Sequence, residues 1–571
     1  MSQLTTVTNE APRGALSSLR TRLSGRWLTL GIFALCILLS VPTITVFSSI
    51  FGDSEGVWSH LASTVLGDYV SQSAMLMVGV GLAVLVLGIG PAWLVTMTRF
   101  PGSRHLEWAL VLPLAMPAYI IAYTYTGMLD VGGPLQSWIR TTFEVRYGDY
   151  WFPQIRSIGG AITMLSLVLY PYVYLLTRTA FIEQSVCVLE VSRTLGASPF
   201  KAFSRVALPL ARPAIMAALS LVLMETLADY GTVQYFGVSA FTTGIYRTWF
   251  GLGSPIAAAQ LAAVLMVFIL GLVLAEHWSR SKARYHHTSN KYTRLPRIEL
   301  HGWKRAAAMF YCFFPVVFGF LIPFIQLSLW AMDTWELLDR SNFLGLFGNS
   351  LKLASITAVI ALFLSLFITY SKRLRPGIFL RGIVRVLGLG YAIPGTVVAV
   401  GVLIPFAWFD NTLDAWMREQ FDISTGLLFS GTLVAVVFAY LVRFLPVSMN
   451  TLDAGLGKIK PTMDDVGRSL GLKPLQILRR VHIPVMKGSL LTASLLVFVD
   501  VLKELPATLI LRPFNFNTLA IRTYELANQE RLAEASSTAL MIVLAGIIPV
   551  IILSQTISKS RPGYEPSTRT Q

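Results

Sequence analysis

Two pairs of acidic residues lie within strongly apolar stretches of the sequence: Glu225 with Asp229, and Asp500 with Glu504. The members of each pair are four positions apart, so a helix would place both carboxylates on one face. Corresponding acids of the two pairs are separated by 275 residues. Ionisable groups inside a membrane helix are costly and are functional candidates by default, and hard cations prefer oxygen ligands. We therefore hypothesise that these acids line a path for a cation, with the Tyr230 hydroxyl as a further oxygen.

The same acids also permit a purely structural interpretation. They would mark the outer ends of two helices, or be neutralised by Lys503 together with Arg247 or Arg522. Arg443 is predicted near the cytoplasmic end of its own helix, where a long side chain extends to the interface. Prolines in other apolar stretches free backbone carbonyls and bend the helix, which serves either a cavity or, as we favour, packing: Pro113, Pro117 and Pro394.

One polar segment occurs twice in the chain. Residues 190–215, EVSRTLGASPFKAFSRVALPLARPAI, align without gaps to residues 465–490, DVGRSLGLKPLQILRRVHIPVMKGSL, with eight identical positions. At the same offset of 275 residues, FTTGIYRTW (241–249) meets FNTLAIRTY (516–524). A tandem duplication explains this register, and internal repeats of this kind are the first feature to seek in a long chain.

The repeated segment has the residues of a helix–turn–helix elbow. Gly196 can adopt the left-handed conformation that ends a helix, and Ser198-Pro199 supplies an N-cap and a first-turn proline for the next one. Pro209 then lies where the chain returns to apolar sequence. In the second copy Lys473 replaces the capping serine, so that turn is expected to be less well capped. The equivalent glycine and prolines there are Gly471, Pro474 and Pro484.

The composition indicates a helical membrane protein. Of the 571 residues 54% are hydrophobic and only 13% are charged, against about 25% charged in ordinary soluble domains. The long apolar runs exclude a β-barrel, whose strands alternate. The formal charge of +16 is interpreted as a bias of loops towards lysine and arginine, without a nucleic-acid partner. Three cysteines without paired spacing indicate neither disulfides nor a thiolate metal site.

Twelve membrane spans of about 20 residues are predicted. The first half, residues 1–277, holds six, and the second half, residues 307–558, holds six more. A basic linker (278–306) joins them, and a polar tail (559–571) follows. The expected spans are 27–50, 72–98, 106–129, 157–178, 212–232 and 255–277, then 307–331, 347–370, 381–408, 426–449, 487–508 and 536–557.

Loop charges orient this bundle. Short loops rich in lysine and arginine stay in the cytoplasm, and the linker carries eight basic residues and one acid. The N-terminal tail and both repeated segments fall on the same side as the linker. We therefore expect a multi-pass protein with both termini in the cytoplasm.

The repeated segment resembles the EAA loop of bacterial ABC importer permeases. The loop's acid, glycine, aliphatic residues and Leu-Pro correspond to Glu190, Gly196, Val206, Leu208 and Pro209, and in the second copy to Asp465, Gly471, Val481, Ile483 and Pro484. The departures are at the two small positions after the acid, which are Val191 and Ser192, then Val466 and Gly467. The resemblance implies an all-α fold like that of type I ABC importer permeases, with two tandem six-helix halves.

In that family the two loops, near 183–210 and 458–485 here, contact a separate ATPase. The resemblance therefore implies that ATPase coupling involves Glu190, Gly196, Pro199, Pro209, Asp465, Gly471, Pro474 and Pro484. The sequence contains no GxxxxGK[ST] phosphate loop, so this chain is expected to be no enzyme and to hold no cofactor. Two copies of a cytoplasmic ATPase would use ATP and Mg²⁺, and an extracytoplasmic binding protein would deliver the substrate at the bacterial inner membrane.

A closer resemblance extends to the fused permeases of iron(III) uptake. It rests on residues 112–130, 227–250 and 502–527. It implies that the chain transports iron(III) by alternating access, in which the path opens to one side of the membrane at a time. Thiamine and polyamine permeases are similar in outline and remain alternatives. An ion-gradient-driven secondary transporter is the rival from another class, but TRFPGSRHLE (98–107) does not match the GxxxDRxxRR-like loop of major facilitators. The sequence contains neither an HExxH motif nor a His/Asp cluster, so a membrane-embedded enzyme is not favoured.

Overall fold

A computed structural model describes residues 13–183, 198–281, 298–337, 339–375 and 377–559. Two of the coupling candidates, Glu190 and Gly196, lie outside the described residues, as do most of the basic linker and the polar tail. The second copy of the repeated segment is described completely, and so are all five residues of the hypothesised cation path.

The first part of the chain forms twelve described helices. They are α1 (Arg13–Ser48), α2 (Val57–Thr64), α3 (Leu66–Met97), α4 (Ser103–Ala109), α5 (Ala118–Leu129), α6 (Pro134–Phe143), α7 (Ile158–Glu183), α8 (Pro199–Ala202), α9 (Leu208–Ala228), α10 (Gly231–Tyr235), α11 (Phe241–Tyr246) and α12 (Pro255–Ser281). Single turns of 3₁₀-helix cover Ser49–Phe51 and Leu112–Ala115, and π-helical turns cover Phe203–Ala207 and Arg247–Gly251.

The second part repeats this order. Its helices are α13 (Gly302–Val316), α14 (Ile322–Asp333), α15 (Arg340–Leu374), α16 (Ile378–Gly388), α17 (Gly395–Phe421), α18 (Leu433–Gly457), α19 (Pro461–Ser469), α20 (Pro474–Ile477), α21 (Ile483–Val485), α22 (Lys487–Leu502), α23 (Pro506–Leu511), α24 (Leu519–Asn528) and α25 (Leu532–Lys559). The 3₁₀ turns are Trp335–Leu337 and Leu389–Ala392, and the π-helical turns are Val317–Leu321 and Leu478–His482.

Ten described helices are long and apolar enough to cross a membrane, and two further bent pairs bring the total to twelve. The bent pairs are Ser103–Ala115 with Ala118–Phe143, at 90°, and Pro474–Val485 with Lys487–Leu502, at 80°. The prediction of an all-α membrane protein with about twelve spans is therefore confirmed. The described residues add only one pair of two-residue strands, β1 (Thr98–Arg99) and β2 (Ile298–Glu299), which lie parallel.

Two predicted spans are not the single helices expected from their hydropathy. The spans at 106–129 and 381–408 both break at a proline, Pro117 and Pro394, whose backbone is extended with ψ near 142° and 145°. A 3₁₀ turn precedes each break. Proline cannot donate a backbone hydrogen bond, so the preceding helix ends and a new one starts immediately after it. The break occurs at corresponding places in the two halves.

The fifth and eleventh spans also end earlier than predicted. Helix α9 stops at Ala228 instead of continuing to residue 232, and α22 stops at Leu502 instead of 508. Each is followed by a short helix, α10 or α23, in a new direction. This arrangement brings the acidic pairs to the point where the chain turns.

Equivalent helices pack in equivalent ways. In the first half α3 packs on α7 and α9, and in the second half α15 packs on α18 and α22. The leading helices cross over between halves, since α1 packs on α17 and α13 on α3. Gly401 allows the first crossing, because a Cβ there would lie only 2.4 Å from the Pro42 carbonyl oxygen. The two halves thus share one helical bundle, and the acidic turns of both meet inside it.

Candidate functional site

The four acids predicted to line a cation path share one cavity of about 130 Å³ between the two halves. Tyr230, Tyr119, Tyr391 and Pro117 also line it. Positions that are 275 residues apart contribute from the two halves in pairs: Glu225 and Asp500, Asp229 and Glu504, Val168 and Arg443, and Ala228 and Lys503. The cavity therefore lies at the approximate twofold axis that relates the halves.

The second acid of the first pair caps a short helix. Asp229 Oδ2 accepts the backbone N–H groups of Thr232 and Val233, both at 3.1 Å, and Oδ1 accepts the Thr232 hydroxyl at 3.0 Å. These amides belong to the first turn of α10, where backbone donors have no partner within the helix. The carboxylate thus stabilises the change of direction after α9.

Glu504 does the same in the second half. Its Oε1 accepts the Ala507 N–H at 3.0 Å, and its Oε2 accepts the N–H and hydroxyl of Thr508 at 3.1 and 2.9 Å. Both residues are the second and third of α23. The second acid of each pair is therefore a helix-capping group as well as part of the cavity wall. The capping role was not predicted from the sequence.

The first acids of the two pairs, Glu225 and Asp500, cap no helix and are more accessible. Their side chains are 22% and 17% exposed, against 2% for Glu504. Asp500 pairs with Lys503 at 2.9 Å, and Glu225 lies 3.9 Å from Arg443. In the described part of the chain, no three His, Cys, Asp or Glu side chains come together as a metal site. In this conformation the acids form a charged wall and not a chelating cluster.

Arg443 occupies a different place from the one predicted for it. It is only 8% exposed, and its Nη1 lies 3.1 Å from Glu504 Oε1. The prediction of a side chain extending to the interface was wrong because the charge has buried carboxylate partners that only the folded chain supplies. The signal in the sequence was general: an arginine within an apolar span is expected to pair with a buried acid.

Three other residues named from the sequence, Tyr230, Arg522 and Pro117, have different places in the structure. Tyr230 lines the cavity, but its hydroxyl is engaged with the Tyr524 hydroxyl at 3.2 Å. Arg522 lies near Glu525, at 3.7 Å, and does not neutralise the four acids as one alternative proposed. Pro117 lines the cavity, so the helix break there serves the cavity and not packing alone.

Replacing Gly395 with alanine is expected to disturb the ion pair between Arg443 and Glu504. A Cβ at Gly395 would lie 2.5 Å from Glu504 Oε1 and 2.8 Å from Arg443 Nη1, so the pair must shift. Overpacking of this kind costs about 1 to 3 kcal/mol, which thermal unfolding of the detergent-solubilised protein would measure. Gly348→Ala, with no atom within 4 Å of the new Cβ, is the matched control. Equal stability of the two variants would contradict the tight approach.

The second copy of the repeated segment forms the predicted elbow. Gly471, with φ of +75°, ends α19, and the Gly471 and Leu472 amides donate to the Arg468 and Gly467 carbonyls at 3.0 Å each. This is the Schellman arrangement that glycine permits. Pro474 begins α20 and Pro484 lies in α21. The Lys473 side chain provides no cap, as predicted, and the Gln476 side chain instead accepts the Lys473 N–H at 2.8 Å.

The elbow is fixed to the ends of α15 and α18. Arg373 lies 2.8 Å from Asp464 and also donates to the Leu456 and Ile459 carbonyls at 2.6 and 2.9 Å. The Tyr370 hydroxyl donates to the Pro474 carbonyl at 2.6 Å. These bonds join a membrane helix directly to both arms of the elbow, so the elbow moves with the bundle.

Arg373→Ala is expected to loosen the elbow without unfolding the bundle. The change removes one partly buried ion pair and hydrogen bonds to three backbone carbonyls. Hydrogen bonds from charged groups each contribute about 1.5 to 3 kcal/mol. Hydrogen exchange of the amides of α19 would rise by at least about tenfold. Lys372→Ala, which removes the neighbouring and more exposed Lys372–Asp453 pair, is the control and should leave that exchange unchanged. Equal exchange in both variants would refute the anchoring role of Arg373.

The outward face of the elbow is apolar and exposed. A shallow groove of about 290 Å³ runs along it, lined by Thr462, Met463, Val466, Gly467, Leu470, Leu472 and Val481. Leu470 is 73% exposed. Asp465 lies at the surface of the same helix, 3.5 Å from Arg468. Such a concentration of large apolar side chains beside charged ones is typical of a protein–protein contact.

The first copy is described only in part. Pro199 begins α8 and Pro209 lies in the first turn of α9. The π-helical turns Phe203–Ala207 and Leu478–His482 occur at equivalent positions in the two copies. π-Helical turns are rare and frequently lie at functional sites. The first runs directly into α9, which carries Glu225, whereas the second leads into the short helix α21, after which the chain bends by 80° into α22.

Comparisons with known proteins found similarity to transport-system permeases. Residues 84–277 match the family model described as "Binding-protein-dependent transport system inner membrane component". The chain is 28% identical over 535 residues to the Fe(3+)-transport system permease protein FbpB 2 of Haemophilus influenzae, an alignment that covers 93% of this chain and 98% of the relative. It is 23% identical to the ferric transport system permease protein FbpB of Actinobacillus pleuropneumoniae, over 90% of this chain and 76% of the relative.

A shorter part of the chain is similar to a permease of another transport system. Over 192 residues the chain is 27% identical to the sulfate transport system permease protein CysT of Escherichia coli, which covers 32% of this chain and 66% of the relative. The relatives that align over nearly the whole chain are therefore long permeases, with room for two six-helix halves. Residues 84–277 therefore resemble the inner-membrane component of binding-protein-dependent transport systems, and the chain as a whole is similar to transport permeases of about its own length.

Proposed function

We propose that this chain is the membrane-spanning subunit of an ATP-driven importer of iron(III). The observation that carries the proposal is the cavity at the twofold axis, where four carboxylates from equivalent positions meet two cations, for a formal charge of −2. Iron(III) is a hard cation that prefers oxygen ligands. The names of the relatives that align over most of the chain support the same cargo.

The charge of the cavity also separates this cargo from that of the sulfate permease. An oxyanion entering the cavity would meet four carboxylates and only two cations, and like charges in a poorly solvated space repel strongly. A cation would instead be attracted. The short alignment with the sulfate permease therefore supports a common fold and a common transport class, and not a common substrate.

Coupling to ATP hydrolysis is assigned to the two elbows. The second elbow would contact one copy of a separate cytoplasmic ATPase through its apolar outward face, and the first elbow would contact a second copy. With six spans in each half, both termini would then lie in the cytoplasm. Closure of the ATPase dimer on ATP and Mg²⁺ would draw the elbows together. Because the second elbow is bonded to α15 and α18, its displacement would move these helices and open the cavity towards a docked extracytoplasmic binding protein. A ligand shifts such an equilibrium only by its differential affinity for the two states.

Uptake by the reconstituted complex tests the proposal. The chain would be purified with its ATPase, placed in proteoliposomes and supplied with radioactive iron(III) on the binding protein. ATP-dependent accumulation that disappears without the ATPase and survives a protonophore is the expected result. Accumulation that persists without the ATPase and collapses with the protonophore would show a secondary transporter. Transport of thiamine or a polyamine in place of iron would overturn the assignment of the substrate.

A further inference from the structure

The cations of the cavity come from one half of the chain only. Arg443 and Lys503 belong to the second half, whereas the equivalent first-half positions are Val168 and Ala228, and all four line the cavity. Lys503, which directly follows α22, is paired locally with Asp500 three residues before it. The residue three positions after Glu225 is Ala228, so the first half supplies no such lysine, and the lysine that acts electrostatically on Glu225 is Lys503 of the other half.

The described ion pair of Glu225 crosses the interface between the halves. Its carboxylate lies 3.9 Å from Arg443 Nη2, while Arg443 Nη1 lies 3.1 Å from Glu504 of the second half. One guanidinium therefore stands between a carboxylate of each half. A single arginine neutralises charge on both sides of the twofold axis.

Two polar atoms of the cavity wall are unused in the described part of the chain. Arg443 Nε and the Tyr119 hydroxyl are buried without a hydrogen-bond partner, and the two residues are 8% and 5% exposed. A buried polar group without a partner costs about 1 to 3 kcal/mol. The arginine is thus held by its carboxylates in a position that leaves part of its bonding capacity unsatisfied.

From this arrangement we infer that Arg443 is a tethered counter-cation, which occupies the place of the cargo between Glu225 and Glu504 and joins the two halves while the path is empty. The inference rests on the proposed function, since it requires a cationic cargo. The contact to Glu225 is the longer of the two and is the one that crosses the interface. When the halves move apart it breaks, Arg443 stays with Glu504, and Glu225 becomes available to the incoming cation.

Arg443→Val tests this role, because it gives the second half the residue that the first half already has. Removing the guanidinium changes the formal charge of the cavity from −2 to −3. The permease–ATPase complex, titrated with terbium(III) as a luminescent trivalent probe, is expected to bind the ion at least about tenfold more tightly than the unaltered complex. Arg443→Lys keeps the charge and should bind terbium(III) as the unaltered complex does.

The double variant Arg443→Val with Glu225→Gln restores the formal charge of −2 and should reverse the gain in affinity. It also leaves one carboxylate fewer without its arginine than Arg443→Val does, so it provides a comparison if Arg443→Val alone fails to assemble. In that case a double variant that binds terbium(III) more tightly than the unaltered complex would contradict the inference. Val168→Ile is the matched control at the equivalent position and should change nothing.

The outcomes separate this inference from the proposed function. Should the unaltered complex transport no iron, the proposed function fails whatever terbium(III) binding shows. Should it transport iron while Arg443→Val, Arg443→Lys and the unaltered complex bind terbium(III) equally, the counter-cation role fails alone. Increased affinity in Arg443→Val with reversal by Glu225→Gln would support it.

Discussion

Leu470→Asp is expected to separate this chain from its ATPase and to abolish uptake. The side chain is 73% exposed on the outward face of the elbow, so the substitution removes no internal packing. A charge placed at the centre of an apolar contact costs about 2 to 4 kcal/mol when that contact is a hot spot. This is about a 30-fold to 1,000-fold loss of affinity, which co-purification of the tagged permease with its ATPase would show directly.

Leu470→Met is the matched control, because it keeps an apolar side chain of similar volume in the groove. It should retain both the ATPase and uptake. Thermal unfolding of the two variants in detergent should be the same, which shows that only the surface has changed. If Leu470→Asp retains its ATPase with unchanged affinity, this face of the elbow is not the docking surface.

The combined substitution of Glu225→Gln and Asp500→Asn is expected to reduce iron uptake by at least about tenfold while the protein remains folded and bound to its ATPase. These acids face the cavity without capping a helix, so their charge can be removed with little loss of backbone hydrogen bonding. Each lost unit charge weakens the attraction for a trivalent cation in a medium of intermediate dielectric constant. Radioactive iron uptake, with co-purification as the assembly check, measures the effect.

Asp229→Ala is the instructive comparison. It removes the cap of α10, a loss worth about 1 kcal/mol, so a fall in uptake would be accompanied by a fall in stability. The Asn variant at this position keeps an acceptor for the Thr232 and Val233 amides. Normal uptake in the Glu225 and Asp500 double variant would remove these two carboxylates from the path.

The sequence predicted the fold class and the approximate spans because both depend on long apolar runs and on one repeated register. It predicted the second elbow because Gly471 and Pro474 have few other uses at that spacing. It predicted bends at Pro117 and Pro394 but not that each span divides there into separate helices, since hydropathy averaged over a window does not distinguish a straight span from two shorter helices. The conformation at each proline depends on what the next helix can pack against.

The acids of the candidate cavity could be predicted from the sequence. The presence of Arg443 among them, and so the net charge of the cavity, could not. The capping roles of Asp229 and Glu504 did leave a signal, because aspartate is a preferred capping residue and acidic side chains in general are favoured near helix N-termini. The partners of Arg443 left a weaker one. Arg443 and Glu504 are 61 residues apart, and which of several buried acids an arginine meets is decided by tertiary packing.

The unequal contribution of the two halves gives a reason for their covalent union. Two copies of the amino-terminal half would bring together four acids and no base, and two copies of the carboxy-terminal half would bring four acids and four bases. Only the mixed pairing leaves two acids in excess, and a single gene for both guarantees that stoichiometry at every round of synthesis. Splitting this gene would therefore make correct assembly depend on discrimination between two similar subunits.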